Sequence, residues 1–171
     1  IPFFLAFFIL AFFAATNDVG IDKQNYTYFY NISTATQVYE GFEPGFRLLI
    51  AVFKTFGLSA RCMLSVVGFV TVACFFKGIY DNKDEIDVGL AIFIFSSQYY
   101  FQSFNLMRMY LAASILLAGS KLIKKDRNIG FLLVNILALM FHYSAIFALF
   151  AYLLYLYIRY TDFLPKKIRI T

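Results

Sequence analysis

The sequence predicts an all-α, polytopic helical membrane protein, with about six spans plus one short re-entrant or interfacial helix. Two observations predict the class. The 171 residues are 61% hydrophobic and only 15% charged, with a mean hydropathy of +0.72. A soluble domain is nearer half apolar and a quarter charged. The apolar residues also come in long runs, such as MLSVVGFVTVACFF and IGFLLVNILALMF. A membrane β-barrel would instead alternate polarity over roughly ten-residue segments.

The net charge of +5 does not imply nucleic acid. Most of it lies in two clusters, Lys121 to Arg127 and Arg159 to Arg169, where membrane topology accounts for it. Cys62 and Cys74 share one apolar run and would stand about 18 Å apart on a helix, beyond disulfide reach. No Cys/His spacing matches a metal site, and neither metal nor cofactor is expected.

Residues Ile1 to Ala15 are apolar and read as the remnant of a first span, too short to cross alone. Thr16 to Phe42 is polar and rich in Tyr, which suits a partly helical loop at the membrane interface. Glu43-Pro44-Gly45-Phe46 leads into an apolar run, Arg47 to Gly57, about 16 Å long as a helix and carrying Arg47 and Lys54. Half a span with two cations predicts a helix that enters the membrane and does not cross. Further spans are expected at Arg61–Lys77, Val88–Phe101, Asn105–Ile123, Ile129–Phe141 and Ser144–Tyr160. Residues 1–171 thus read as a single integral membrane domain, expected to be truncated at both ends. Residues 16–57 form an external loop and short helix, and 104–145 a motif-bearing helix pair.

Loop charge sets the orientation. The basic 121–127 loop and the basic tail should both be cytoplasmic. Counting crossings from them puts the 80–87 loop inside. The same count puts Arg61, Asn105, Arg108 and His142 on the outer side, and Asp22 and Glu43 with them provided the 46–57 helix does not cross.

Four short motifs occur in order. Gly20-Ile21-Asp22 is followed by Tyr26, then by Glu43-Pro44-Gly45-Phe46. Asn105-Leu106-Met107-Arg108 follows with Leu111-Ala112, and Phe141-His142-Tyr143-Ser144-Ala145 closes the set. This set resembles the EpsG-like family of bacterial membrane polysaccharide polymerases, similar in role to the Wzy O-antigen polymerases. It covers Gly20 to Ala145. Ile21 and Met109 stand where family members often carry Thr and Gln. Family members are considerably longer, so the chain is expected to be a fragment.

The resemblance implies a multi-pass glycosyltransferase of the bacterial cytoplasmic (inner) membrane, working at its outer face in exopolysaccharide, O-antigen or capsule synthesis. It would join oligosaccharide repeats carried on undecaprenyl diphosphate. Its expected partners are that substrate, membrane lipids and other polysaccharide-assembly proteins. Alternatives are a lipid-oligosaccharide flippase and a non-catalytic assembly subunit. A flippase should carry charge at mid-membrane, which the apolar runs lack.

Such a reaction needs a cation for the leaving diphosphate and a base for the acceptor hydroxyl. Arg108 suits the diphosphate, because its planar fork pairs with phosphate oxygens; the bland alternative is an anchor that snorkels to headgroups. His142 is a candidate base or hydrogen-bond donor, or else a structural residue at a turn where Ser144 caps the next helix. Asp22 is either a second candidate base or a solvated loop acid. Glu43 either binds substrate or caps the short helix. Asn105 and Tyr26 complete the substrate-binding candidates, with Tyr26 or Tyr99 available to stack on a sugar ring. The acids at 81, 84, 85 and 87 read as a solvated loop and not a metal site.

Overall fold

A computed structural model describes residues 2–161, and among these every regular element is helical. The basic residues Lys166, Lys167 and Arg169, on which the orientation of the tail partly rests, lie outside the described residues.

The helices are α1 (Pro2–Thr16), α2 (Ile21–Ile32), α3 (Pro44–Thr55), α4 (Ala60–Asp81), α5 (Val88–Ile94), α6 (Met107–Gly119), α7 (Lys121–Lys124), α8 (Asn128–Phe141) and α9 (Ala145–Tyr160). Helix α4 is the centre. Its 22 residues reach about 33 Å, enough to cross a hydrocarbon core. The Ser59 hydroxyl caps it by accepting from the Cys62 N–H at 3.2 Å. Helix α1 packs on one side of α4 and α6 on another, with α8 against α6 and α9 against α8.

Where α6, α8 and α9 meet, the contact is made by Ala112, Ala138 and Ala145, all buried. Small side chains let membrane helices approach closely, and dispersion then holds them. The outward faces are apolar instead of charged. Phe4, Phe8 and Phe12 repeat every fourth residue along the outside of α1, and Phe147, Phe150 and Leu154 face outward on α9. Water would penalise such faces, whereas lipid tails match them.

Among the described residues, α4 alone is long and apolar enough to cross a membrane by itself. Two expected spans are broken. The run at Val88–Phe101 is α-helical only to Ile94, becomes a π-turn over Phe95–Tyr99, and passes into a 3-10 turn at Gln102–Phe104. Hydroxyls compete for its carbonyls there: Ser97 donates to Phe93 O at 2.7 Å and Ser103 to Tyr100 O at 2.6 Å. The expected span at Asn105–Ile123 starts later, at Met107, and its last turn is offset at Ser120 to form α7. Asn105 therefore lies in the turn before α6 and not in the helix.

Charged groups collect at the two ends of α4. At one end, Arg61 pairs with Asp18 at 3.0 Å. At the other, Lys77 and Lys121 face Asp81 at 2.5 and 3.8 Å, Lys124 pairs with Glu85 at 2.6 Å, and Arg159 with Asp126 at 2.6 Å. The 80–87 loop, the 121–127 loop and the end of α9 thus share one end of the bundle, as the crossing count requires.

Helix α3 keeps to the opposite end. The Phe46 ring in its first turn lies 5.1 Å from the Tyr26 ring. Past its last turn, Tyr30 donates to the Leu58 carbonyl at 2.6 Å, and Lys54 sits over the Tyr30 ring. Tyr26 and Tyr30 are one turn apart on α2, so both ends of α3 return to the same short helix.

Candidate functional site

Two motif glycines bring charged groups together by letting backbones approach. Gly20 has φ +121°, and a Cβ there would meet the Phe104 carbonyl at 2.5 Å and Asn105 Oδ1 at 3.4 Å. Glycine therefore seats the start of α2 directly on the turn before α6. Asp22 and Tyr26, one turn apart on α2, then face Arg108 at the start of α6.

The Glu43-Pro44-Gly45-Phe46 motif divides its work residue by residue. Pro44 opens α3, where its missing N–H costs nothing. Gly45 abuts the end of α8, since a Cβ there would come 2.8 Å from the Met140 carbonyl. Phe46 is fully buried against Tyr26 and Phe42. Glu43 is thereby held between α6 and α8, and is itself only 3% exposed.

The side chains form one chain of polar contacts. Arg108 Nη1 donates to Glu43 Oε2. Glu43 Oε1 lies 2.9 Å from His142 Nδ1. Arg108 Nε donates to the Tyr26 hydroxyl at 3.1 Å, and that hydroxyl donates to Asp22 Oδ2 at 3.3 Å. Burial pushes the Tyr26 phenol up, so it stays protonated and can serve both neighbours. The Arg108 guanidinium also lies 5.0 Å from the Phe42 ring centre, 5.7 Å from Tyr26 and 6.0 Å from Phe46.

This geometry replaces two helix-capping readings. Glu43 occupies the N-cap position of α3, but its carboxylate makes no capping bond. It is turned instead to Arg108 and His142, because a buried carboxylate gains more from two partners than from the helix end. Ser144 precedes α9 without a side-chain capping bond either. His142 ends α8 in an extended conformation, which swings its ring toward α3.

The arrangement constrains the chemistry. An ionised carboxylate only accepts, so His142 Nδ1 must carry the proton facing Glu43. Its Nε2 is left to take or give a proton. Arg108 is held through Nε and Nη1, and its guanidinium still has Nη2 hydrogens to offer an anion. Tyr26 is 6% exposed with its ring packed among phenylalanines, so only its hydroxyl is in play. Tyr99 packs near Tyr110, outside this cluster. Nothing in the sequence signals that Phe42 and Phe46 surround the arginine, although Phe46 belongs to one of the four motifs.

The all-helical fold of the described residues is consistent with a helical membrane protein, and it brings Asp22, Tyr26, Glu43, Arg108 and His142 together at one end of the bundle. The chain matches the model of the EpsG family over residues 1–168, and it belongs to that family. Membership is consistent with a role in polysaccharide assembly. No curated protein and no solved structure matches the chain.

Proposed function

We propose that this chain carries the reaction centre of a polysaccharide polymerase, joining lipid diphosphate-linked oligosaccharide repeats at the outer face of the bacterial cytoplasmic membrane. The observation that carries this reading is the buried Glu43 carboxylate bridging Arg108 and His142. It couples an anion-binding guanidinium to an oriented imidazole within one site. In this reading the protein crosses the membrane about six times, with α3 lying in the outer half and the 121–127 loop in the cytoplasm.

His142 Nε2 accepts the proton of the acceptor sugar hydroxyl, while Glu43 holds the ring and stabilises the imidazolium that results. The hydroxyl oxygen forms a bond to the anomeric carbon of the growing chain. The bond from that carbon to the diphosphate oxygen breaks, and the lipid diphosphate leaves with the electron pair. Arg108 neutralises the charge developing on it. Asp22, through Tyr26, holds Arg108 in place; it is a positioning group here and His142 the base. Asn105, beside Gly20 in the turn before α6, is a substrate-binding group in this reading.

Deleting the gene and sizing the lipid-linked glycans tests the proposal. Single repeats that external glycosidases can reach support a polymerase. Single repeats shielded from them indicate a flippase, and normal long chains indicate a dispensable assembly subunit.

A further inference from the structure

We infer that the end of the bundle opposite Glu43 holds a binding site for one anionic glycerophospholipid. A cavity of about 480 Å³ opens between the end of α4, the end of α6, α7 and α8. Its rim carries Lys77, Lys121, Lys125 and Arg127 against a single carboxylate, Asp81. Its wall is apolar, with Ile115, Val134 and Leu137 below the charges. A basic rim over an apolar wall has the polarity of a lipid: phosphate above, acyl chain below.

The positive charge is not cancelled from inside the protein. Asp81 is already occupied by Lys77, which also donates to the Ala118 carbonyl at 3.0 Å. The other nearby acids are turned elsewhere. Glu85 is paired with Lys124, whose ammonium also reaches Asn82 Oδ1 at 2.6 Å. Asp126, at φ 54°, projects to Arg159. Among the described residues, neither Lys125 nor Arg127 has a carboxylate within ion-pair distance. Loop charge bias alone asks for cations in this loop. It does not ask that they converge from several helices on one cavity while Glu85 and Asp126 pair outside it.

The inference needs only that the helices sit in a membrane, and it stands apart from the polymerase reading. The test is retention of phosphatidylglycerol against phosphatidylcholine by the purified full chain, read by native mass spectrometry. The wild type should keep phosphatidylglycerol selectively. Lys125→Gln with Arg127→Gln should lower that retention by roughly tenfold or more, while the charge-preserving pair Lys125→Arg with Arg127→Lys keeps it. Lys54→Gln with Lys83→Gln removes the same charge outside the cavity and should leave retention unchanged. Three results would overturn the site: equal retention of phosphatidylcholine, equal loss in the Lys54/Lys83 pair, or displacement of the lipid by millimolar inorganic phosphate. The last would mark a free-phosphate site. Glycan length should be normal in the Lys125/Arg127 variants, which separates this outcome from any failure at Glu43.

Discussion

Glu43 and His142 are 99 residues apart in sequence, yet Oε1 of one lies 2.9 Å from Nδ1 of the other. The contact joins the first residue before α3 to the last turn of α8. It also fixes which imidazole nitrogen faces the open side of the site.

Replacing that carboxylate should separate folding from chemistry. Glu43→Gln keeps the shape but leaves Arg108 without its counter-charge and His142 without its carboxylate acceptor. Breaking a buried pair costs about 3–5 kcal/mol, and the partial exposure of Arg108 brings this nearer 2. The protein should still accumulate in the membrane, with polymer formation down by roughly 10²–10⁴-fold, the share of an oriented base. Polymer length normalised to membrane protein level reads it. Wild-type polymer in Glu43→Gln would make the carboxylate purely structural.

The glycine in the same motif gives a steric test. Gly45→Ala places a methyl group 2.8 Å from the Met140 carbonyl, so α3 and α8 must part. The expected cost is about 1–3 kcal/mol of stability, with loss of polymer because Glu43 moves off His142. Gly130→Ala is the control. Its Cβ meets the end of the Leu122 side chain at 3.4 Å and Arg127 Cβ at 3.8 Å, both ordinary contacts. Relief of helix entropy there should leave stability equal or raise it by about 0.5–1 kcal/mol. Thermal unfolding in detergent distinguishes the two.

Tyr26→Phe removes only the hydroxyl between Arg108 and Asp22, since the ring is already packed by Phe42 and Phe46. A loss of about 0.5–1.5 kcal/mol is expected, a partial shortening of glycan rather than none. If Asp22 acts by positioning, Asp22→Asn should resemble Tyr26→Phe. His142→Ala should abolish polymer. Abolition in Asp22→Asn together with residual polymer in His142→Ala would exchange the two roles.

Orientation can be read by cysteine labelling in a background without Cys62 and Cys74. An impermeant outside reagent should label Tyr143→Cys and Leu58→Cys but not Lys124→Cys. Labelling at 124 would invert the topology. Protection of Leu58→Cys with labelling only from the inside would mean that α3 crosses.

Some of this site is legible in the sequence for a simple reason. Arg108 and His142 are isolated ionisable residues at the ends of apolar runs, and charge there is too costly to be incidental. Glu43 is harder. A Glu before Pro at a helix start reads as a cap, and nothing local announces partners 65 and 99 residues away. The aromatic surroundings of Arg108 are hidden by abundance, because Phe42 and Phe46 are two of 23 phenylalanines. The break between α5 and α6 carries no Pro or Gly. It comes from serine hydroxyls taking carbonyls and from Tyr100 donating to Leu10 O at 2.7 Å across to α1. The crossing count, by contrast, needs only loop charge, and the ion pairs gathering the 80–87 and 121–127 loops at one end agree with it.

The most direct measurement is glycan chain length in Arg108 variants of the full-length protein, normalised to membrane protein level. Arg108→Ala should insert and accumulate yet form no polymer. Arg108→Lys keeps the charge but lacks the several planar donors of the guanidinium, which can hold Tyr26, Glu43 and an anion together. It should lose activity equivalent to about 1–3 kcal/mol of charge-assisted hydrogen bonding, and give short chains. Normal long chains in Arg108→Ala would contradict the assignment of Arg108 to the leaving diphosphate.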